Sequence, residues 1–271
     1  MNTQTIIKNY LADLNITKNI TNLEDISNLA SAHLKRYFFG NPKILVGEEV
    51  PIDLESIYNN IVVNKRGGYC FEHNKLMYEV LKNLGFEVTQ HLARILNNDI
   101  PKIPMTHRVT ILHYQGEKYL VDVGVGFRSP SVIIKFDENN TSSIGHLNTE
   151  YKLSSNELGL YTLQRKEKGH YFNIYQFNLF DNIDADFEMG NFYCYGNPTS
   201  IWRNHLIMSC FTEDAIYSLH NNVYYRINSK QIDQIEITEV NQFIEIIQNE
   251  LKANYSHEEL TEIFEKHIKQ K

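Results

Sequence analysis

The chain reads as an α+β protein, on three observations. Apolar residues recur at helical spacing up to Gly85. The period then drops to two for about a hundred residues, as strands require. Helical spacing returns near the C-terminus. The order is helices, strands, then a mixed tail, not the strand-helix alternation of a doubly wound parallel sheet.

The N-terminal helices come first. Residues 3–14 carry Ile6, Ile7, Tyr10, Leu11 and Leu14 on one side, and residues 22–36 repeat the pattern with Leu23, Ile26, Leu29, Ala30, His33 and Leu34. Pro51 to Ile57 reads as a short helix with Asp53 at its N-cap. The strongest helix spans 70–84, with an apolar stripe of Leu76, Met77, Val80, Leu81 and Leu84 and a stop at Gly85. Strands are expected at 86–96, 107–114 and 118–125, with Gln115-Gly116-Glu117 turning between the last two. Further strands are expected at 131–136, 150–153, 159–165, 171–180, 205–211 and 222–227. Residues 137–148 read as an exposed polar loop, and 184–197 as a helix before Pro198. Two helices close the chain, 240–251 and 256–268, the second begun by a Ser256/Glu259 capping box.

Composition narrows the function classes. The 271 residues are 42% hydrophobic and 22% charged, values of a soluble globular protein with a sizeable core. A net charge of −7 argues against nucleic acid as a partner. No apolar run approaches the roughly 20 residues that span a bilayer, and the N-terminus lacks a signal-peptide pattern, so no membrane and a cytoplasmic location are expected. Cys70, Cys194 and Cys210 are odd in number and far apart, which suits a reducing compartment rather than a disulfide framework. No CxxC or HExxH spacing occurs, so no metal is expected. The sequence is silent on oligomeric state.

The chemistry gathers around Arg66-Gly67-Gly68-Tyr69-Cys70-Phe71-Glu72-His73-Asn74. Cys70 stands where a glycine turn enters the strongest helix, and a helix N-terminus favours a thiolate. His107 begins one strand of the expected hairpin, and Asp122 lies toward the end of the other. An even-length loop places His107 opposite residue 124 or 126, so Asp122 falls on the same face and within reach in the nearer register. Cysteine, histidine and carboxylate together point to an activated nucleophile and covalent acyl chemistry. Taken singly, each has a plainer reading: Cys70 as a buried inert thiol, His107 as a satisfied strand histidine, Asp122 as a turn-capping carboxylate. His73 is a weaker rival for the base, because it sits one helical turn from Cys70 and points away from the hairpin. Arg66 and Glu72 read as an ion pair or hydrogen-bond brace that fixes the turn. Gly124 and Gly126 would let backbone approach a ligand closely.

At these residues the chain resembles the arylamine N-acetyltransferase family. The resemblance rests on the motif around Cys70, on Gly85-Phe86-Glu87-Val88, Ala93-Arg94 and Thr106-His107, and on Asp122-Val123-Gly124-Val125-Gly126. It implies a helical bundle over 1–85, an antiparallel β-barrel over 86–190 and an α/β lid over 191–271, with a papain-like Cys-His-Asp arrangement. It implies Cys70 as nucleophile, His107 as base and Asp122 as orienter in ping-pong transfer from acetyl-CoA to an aromatic amine or hydrazine. It further implies CoA contacts at Thr106, Gly124, Gly126 and Phe127, and acceptor contacts at Phe39, Tyr69 and Val125. Three places depart from the family pattern. Phe38-Phe39-Gly40-Asn41 stands for the usual Pro-Phe-Glu-Asn, Val125 for an aromatic, and Ser129-Pro130 for a longer proline-rich continuation. A cysteine hydrolase or transglutaminase-like enzyme shares the residue order, and a biosynthetic amide synthase would share the fold with another acyl donor. A non-catalytic ligand-binding relative would show no reactive thiol.

Overall fold

The computed structural model of the protein describes residues 1–98, 103–137, 139 and 141–269. Helices α1 (Thr3–Asp13) and α2 (Leu23–Arg36) each start at an asparagine, Asn2 and Asn22, whose side chain accepts a first-turn N–H. Three short elements follow: β1 (Phe39–Gly40), α3 (Pro42–Leu45) and α4 (Leu54–Tyr58), the last capped by Asp53 as its sequence indicates. Helix α5 (Cys70–Asn83) turns its stripe of Leu76, Met77, Val80 and Leu81 onto Tyr10, Ile26, Leu29 and Ile57, and this packing forms the helical core.

Strands β2 (Glu87–Ile95), β3 (His107–Tyr114), β4 (Glu117–Val121), β5 (Ile134–Lys135), β6 (Ser143–Ile144), β7 (Glu150–Ser155), β8 (Tyr161–Glu167) and β9 (His170–Phe177) make one antiparallel sheet. Its order is β5-β4-β3-β2-β9-β8-β7-β6, and it curls into a nearly closed barrel around Val109, Ile111, Leu120, Leu163, Tyr175 and Phe177. Helices α6 (Asp184–Gly196) and α7 (Ile201–Asn204) then lead to β10 (Ile207–Phe211), β11 (Ile216–His220), β12 (Val223–Ile227) and β13 (Ile232–Glu236). The second sheet runs β1-β10-β11-β12-β13, so an N-terminal strand forms its edge. Helices α8 (Val240–Glu245) and α9 (His257–Ile263) pack behind it, with Phe243 and Phe264 meeting at 5.3 Å between ring centroids. The fold is the expected α+β class: a helical N-terminal part, an antiparallel barrel and a C-terminal α/β part.

The departures are local. The strand read over 118–125 stops at Val121, because the Asp122 side chain accepts the Gly124 N–H at 2.8 Å and turns the chain. The segment 137–148 is not a plain loop: β6 pairs with β7, and a 3₁₀ turn follows at His146–Asn148. Residues 138 and 140 of that segment lie outside the described residues. Strands β11 and β13 were not expected. Every residue of β13 is exposed, so it lacks the alternation that marks a half-buried strand.

Candidate active site

Cys70 is the first residue of α5, and the turn before it is held tightly. Gly67 has φ of +69°, and a Cβ there would fall 2.3 Å from the Phe38 ring. Only glycine fits both the backbone and the space. Glu72 folds back so that Oε2 accepts the Tyr69 N–H at 3.2 Å, while Oε1 accepts from Asn60 Nδ2 at 2.8 Å. Burial pushes the Glu72 carboxyl up to about 7. The expected Arg66–Glu72 ion pair is absent. Arg66 instead binds Glu48 at 2.6 Å and Glu259 at 2.9 Å, with its guanidinium 4.2 Å from the centroid of the Tyr255 ring. The brace exists, but the arginine is held by Glu48 and Glu259 and the glutamate by Asn60 and the Tyr69 N–H.

The β3–β4 hairpin takes the nearer register. Tyr114 faces Glu117 across a Gln115-Gly116 turn, with φ of +51° and +81°, and the same register carried forward sets His107 opposite Gly124. His107 Nε2 meets Asp122 Oδ2 at 2.8 Å. The other ring nitrogen is left for Cys70, whose sulfur lies 3.5 Å from the neighbouring Thr106 carbonyl and interacts electrostatically with the His107 ring. Asp122 Oδ1 accepts from Asn74 Nδ2 at 2.7 Å and from the Gly124 N–H. Asp122 is thus both a turn cap and a histidine partner, one oxygen for each task. Gly124 packs directly against the thiol's helix: a Cβ on it would lie 2.9 Å from Cys70 Cα and 2.7 Å from Asn74 Nδ2. His73 turns away, binding His33 at 2.7 Å and the Phe38 carbonyl at 3.2 Å.

All three groups are buried, Cys70 and His107 at 2% exposure and Asp122 at 1%. Burial opposes charge on His107, yet the Asp122 carboxylate and the Cys70 sulfur raise its pKa to about 10. Burial likewise opposes ionisation of Asp122, and His107, Asn74 and the Gly124 N–H outweigh it and hold the carboxyl below its usual range. Burial pushes the Cys70 thiol up, against the expectation of a depressed value at a helix N-terminus. The His107 hydrogen bond and charge, and the Arg108 backbone N–H, pull it back. The thiolate therefore depends on an imidazolium beside it.

Cys70 and His107 open onto a cavity of about 780 Å³. Phe39, Thr106, Gly124, Val125, Gly126 and Phe127 are among the residues that line it. Tyr69 does not. It is buried at 1% exposure, bonds Asn191 through its hydroxyl and sits behind Trp202, whose ring is 5.4 Å away and does line the cavity. Sequence reasoning did not single out Cys194, Arg128, Trp202 and His220, which also line the cavity, and it assigned no role to Asn74. Only Asn74 carried a signal, as the last residue of the motif around Cys70. Among the described residues, none of those lining the cavity belongs to α8 or α9. Among the described residues no group of three or more His, Cys, Asp or Glu could hold a metal ion. Among them, too, no helix is long and apolar enough to cross a membrane.

A family profile described as N-acetyltransferase matches residues 22–260. The chain belongs to the arylamine N-acetyltransferase family. The arylamine N-acetyltransferase of Escherichia coli K12 is 33% identical over 188 residues, which cover 68% of this chain and 66% of that protein. The Salmonella typhimurium arylamine N-acetyltransferase / N-hydroxyarylamine O-acetyltransferase is 26% identical over 256 residues, 90% and 89% of the two chains. The fold is that of the Mycobacterium marinum arylamine N-acetyltransferase solved in complex with CoA, with a TM-score of 0.86 at 23% identity over 94% of this chain and 96% of that one. Arylamine N-acetyltransferases are acyltransferases, and this chain is one of them.

Proposed function

We propose that Cys70 carries an acetyl group from acetyl-CoA to the nitrogen of an arylamine or hydrazine in two half-reactions. The observation that carries this reading is the buried grouping of Cys70 beside His107, itself bonded to Asp122 at 2.8 Å, at the wall of the large cavity. In the first half, His107 takes the Cys70 proton and the thiolate adds to the acetyl carbonyl. The carbonyl–sulfur bond to CoA breaks, and the proton passes from His107 to the departing CoA thiolate. In the second half, the amine adds to the Cys70 thioester, His107 accepts the amine proton, and the thiolate is released. Asp122 keeps the ring oriented and stabilises the imidazolium without taking the proton itself. N–H groups at the start of α5 and the Arg108 N–H are in place to offset negative charge near the sulfur.

The donor reading draws support from Arg128 on the cavity wall, whose guanidinium is also held by Glu167 at 3.1 Å. Arg128 lies between the rings of Phe127 and Phe172, at 4.5 Å and 4.2 Å, and His220 stands 5.5 Å from Phe127. The CoA phosphates would seat there, beside the backbone of Gly124, Gly126 and Phe127 and near Thr106. Phe39, Trp202 and Val125 give the acceptor an apolar wall. Tyr69 would act on it only through Trp202. The reaction asks for no metal, and both substrates are soluble small molecules, in keeping with a cytoplasmic enzyme.

Intact mass spectrometry after brief mixing with acetyl-CoA tests this, with Cys70→Ala beside the wild type. One acetyl adduct, absent in the variant and lost on adding an arylamine, is the expected result. An adduct that decays equally fast without amine would make the protein a hydrolase. No adduct from a thiol that still alkylates quickly would remove acetyl-CoA as donor.

A further inference from the structure

The mechanism uses one thiol, but the cavity wall holds two. Cys70 Sγ lies 3.5 Å from the Thr106 carbonyl oxygen, and Cys194 Sγ lies 3.9 Å from the same oxygen. The sulfurs can be no farther apart than those two contacts laid end to end. Both cysteines are free, both are buried, and both line the cavity. The closeness is built into the backbone. Gly190 stands one helical turn before Cys194, and a Cβ there would meet the ring of Phe71, the neighbour of Cys70, at 2.8 Å. Asn191 binds the hydroxyl of Tyr69, the other neighbour of Cys70, and its Nδ2 donates to the Val50 carbonyl at 2.8 Å. The turn of α6 that leads into Cys194 is therefore held against both neighbours of Cys70, Phe71 through Gly190 and Tyr69 through Asn191.

We infer that Cys194 is a resolving thiol: when a hydroperoxide oxidises Cys70, Cys194 captures it as a reversible Cys70–Cys194 disulfide. In the first step the Cys70 thiolate attacks the terminal peroxide oxygen. The O–O bond breaks, Cys70 becomes a sulfenic acid, and the other oxygen leaves as water or an alcohol. In the second step the Cys194 sulfur attacks the Cys70 sulfur. The S–S bond forms, the S–O bond breaks, and the hydroxide leaves as water with the Cys194 proton. Two electrons have passed from the sulfurs to the peroxide, and a dithiol returns them by two exchanges.

The order of events follows from what surrounds each thiol. Cys70 has His107 to ionise it. Cys194 has the Thr106 carbonyl, Tyr69 and Trp202 beside it as well as Cys70, and burial holds it up to about 12. Cys194 thus stays a thiol until the sulfenic acid arrives beside it. The bond requires the two sulfurs to turn toward each other with their Cα atoms within about 7 Å. The bridged state would be inactive but repairable, whereas further oxidation of Cys70 would be permanent.

The inference rests on Cys70 being the reactive thiol, and its readout is independent of acetyl transfer. The full-length protein, stripped of reductant, is treated with a several-fold molar excess of hydrogen peroxide, alkylated and digested without reduction. The expected product is a Cys70–Cys194 linked peptide, an intact mass lower by two hydrogens, and activity that is lost and then regained with dithiothreitol. Cys194→Ala, compared with itself before and after peroxide, is expected to gain two or three oxygens on Cys70 and to stay inactive after dithiothreitol. Wild type that takes up those oxygens as fast as Cys194→Ala, without a link, overturns the inference. So does a link to Cys210, whose thiol bonds the Glu250 carbonyl at 3.5 Å well away from the cavity. A protein that cross-links as expected but never accepts acetyl would retain this inference and lose the proposed function.

Discussion

Asn74 and Asp122 are bound side chain to side chain at 2.7 Å, although 48 residues separate them in the chain. The asparagine grips the whole turn: its Nδ2 also reaches the Arg108 carbonyl at 2.5 Å, and its Oδ1 accepts the Val123 N–H at 2.9 Å. One side chain on α5 therefore fixes the two β-strand ends that carry His107 and Asp122.

Replacing Asn74 by Ala should lower the rate of Cys70 acetylation by about 100-fold, because a displacement near 1 Å in such a site costs that much. It also leaves the Val123 N–H buried without a partner, for a loss of about 1–3 kcal/mol. Stopped acetylation followed by mass spectrometry reads the first effect, and urea unfolding reads the second. A wild-type rate in the variant would show that His107 alone holds Asp122 in place.

Gly124→Ala tests the close approach of strand to helix. The nearest neighbours of the new Cβ, at 2.7 Å and 2.9 Å, are the Asn74 amide and the Cys70 Cα, and the backbone atom cannot swing aside. Overpacking of this kind costs about 1–3 kcal/mol. The expected variant melts earlier and acetylates slowly, even though no reactive group has been changed. A melting point equal to wild type would mean the hairpin end can shift without penalty.

Much of this site was legible in the chain, for identifiable reasons. The hairpin loop has even length, and period-two geometry alone then brought Asp122 to the face of His107. Cys70 could be placed because Gly67 and the stripe from Leu76 to Leu81 mark where α5 begins and faces. What was not legible depends on distant partners. Arg66 lies six residues from Glu72, yet its acceptors are Glu48 and Glu259. Tyr69 sits beside the nucleophile in sequence but points from the opposite side of the chain into Asn191. Cys194 reaches the cavity only because Gly190 lets α6 settle on Phe71, a contact that no local pattern encodes.

A buried chain of rings sets an acid limit. The Phe38 carbonyl can only accept, so His73 donates from Nε2 and accepts from His33 at Nδ1. His33 in turn accepts the Tyr10 hydroxyl at 2.8 Å. In this arrangement both rings are neutral, and a second proton on His73 would face the His33 N–H. Burial lowers His73 from 6.5 to about 4, and His33 well below its usual value. A depressed folded value means the unfolded chain binds the proton more readily. The stabilisation is thus present above pH 6.5 and lost as pH falls through about 4. Its size for His73 is up to about 3 kcal/mol. His73→Gln should be less stable near neutrality and show a shallower loss of urea midpoint over that window. An unchanged slope would assign the acid limit to other groups.

His107 sets an opposite dependence. Its folded pKa is raised from 6.5 to about 10, so its contribution is fully present below pH 6.5 and lost as pH rises through about 10. Asp122→Asn removes the main charge that raises it. The variant should lose the alkaline decline in stability, and its Cys70 should alkylate more slowly at neutral pH for want of an imidazolium. Equal alkylation rates in the two proteins would place the thiolate's stabilisation in the α5 N-terminus and the Arg108 N–H instead.

Val125 tests the acceptor side. It lines the cavity between Gly124 and Gly126, on the barrel side of Cys70, and a larger ring there would take up space now open. Val125→Phe should leave the rate of Cys70 acetylation close to wild type, because it alters none of the groups that move the proton. The second half-reaction should become selective. For a bulky bicyclic amine kcat/KM is expected to fall by about 10-fold or more, and for a small monocyclic amine by much less, the scale on which pocket volume discriminates. Single-turnover acetylation and steady-state rates with two amines of different size separate the halves. If both amines lose equally, Val125 shapes the approach of the donor rather than the seat of the acceptor.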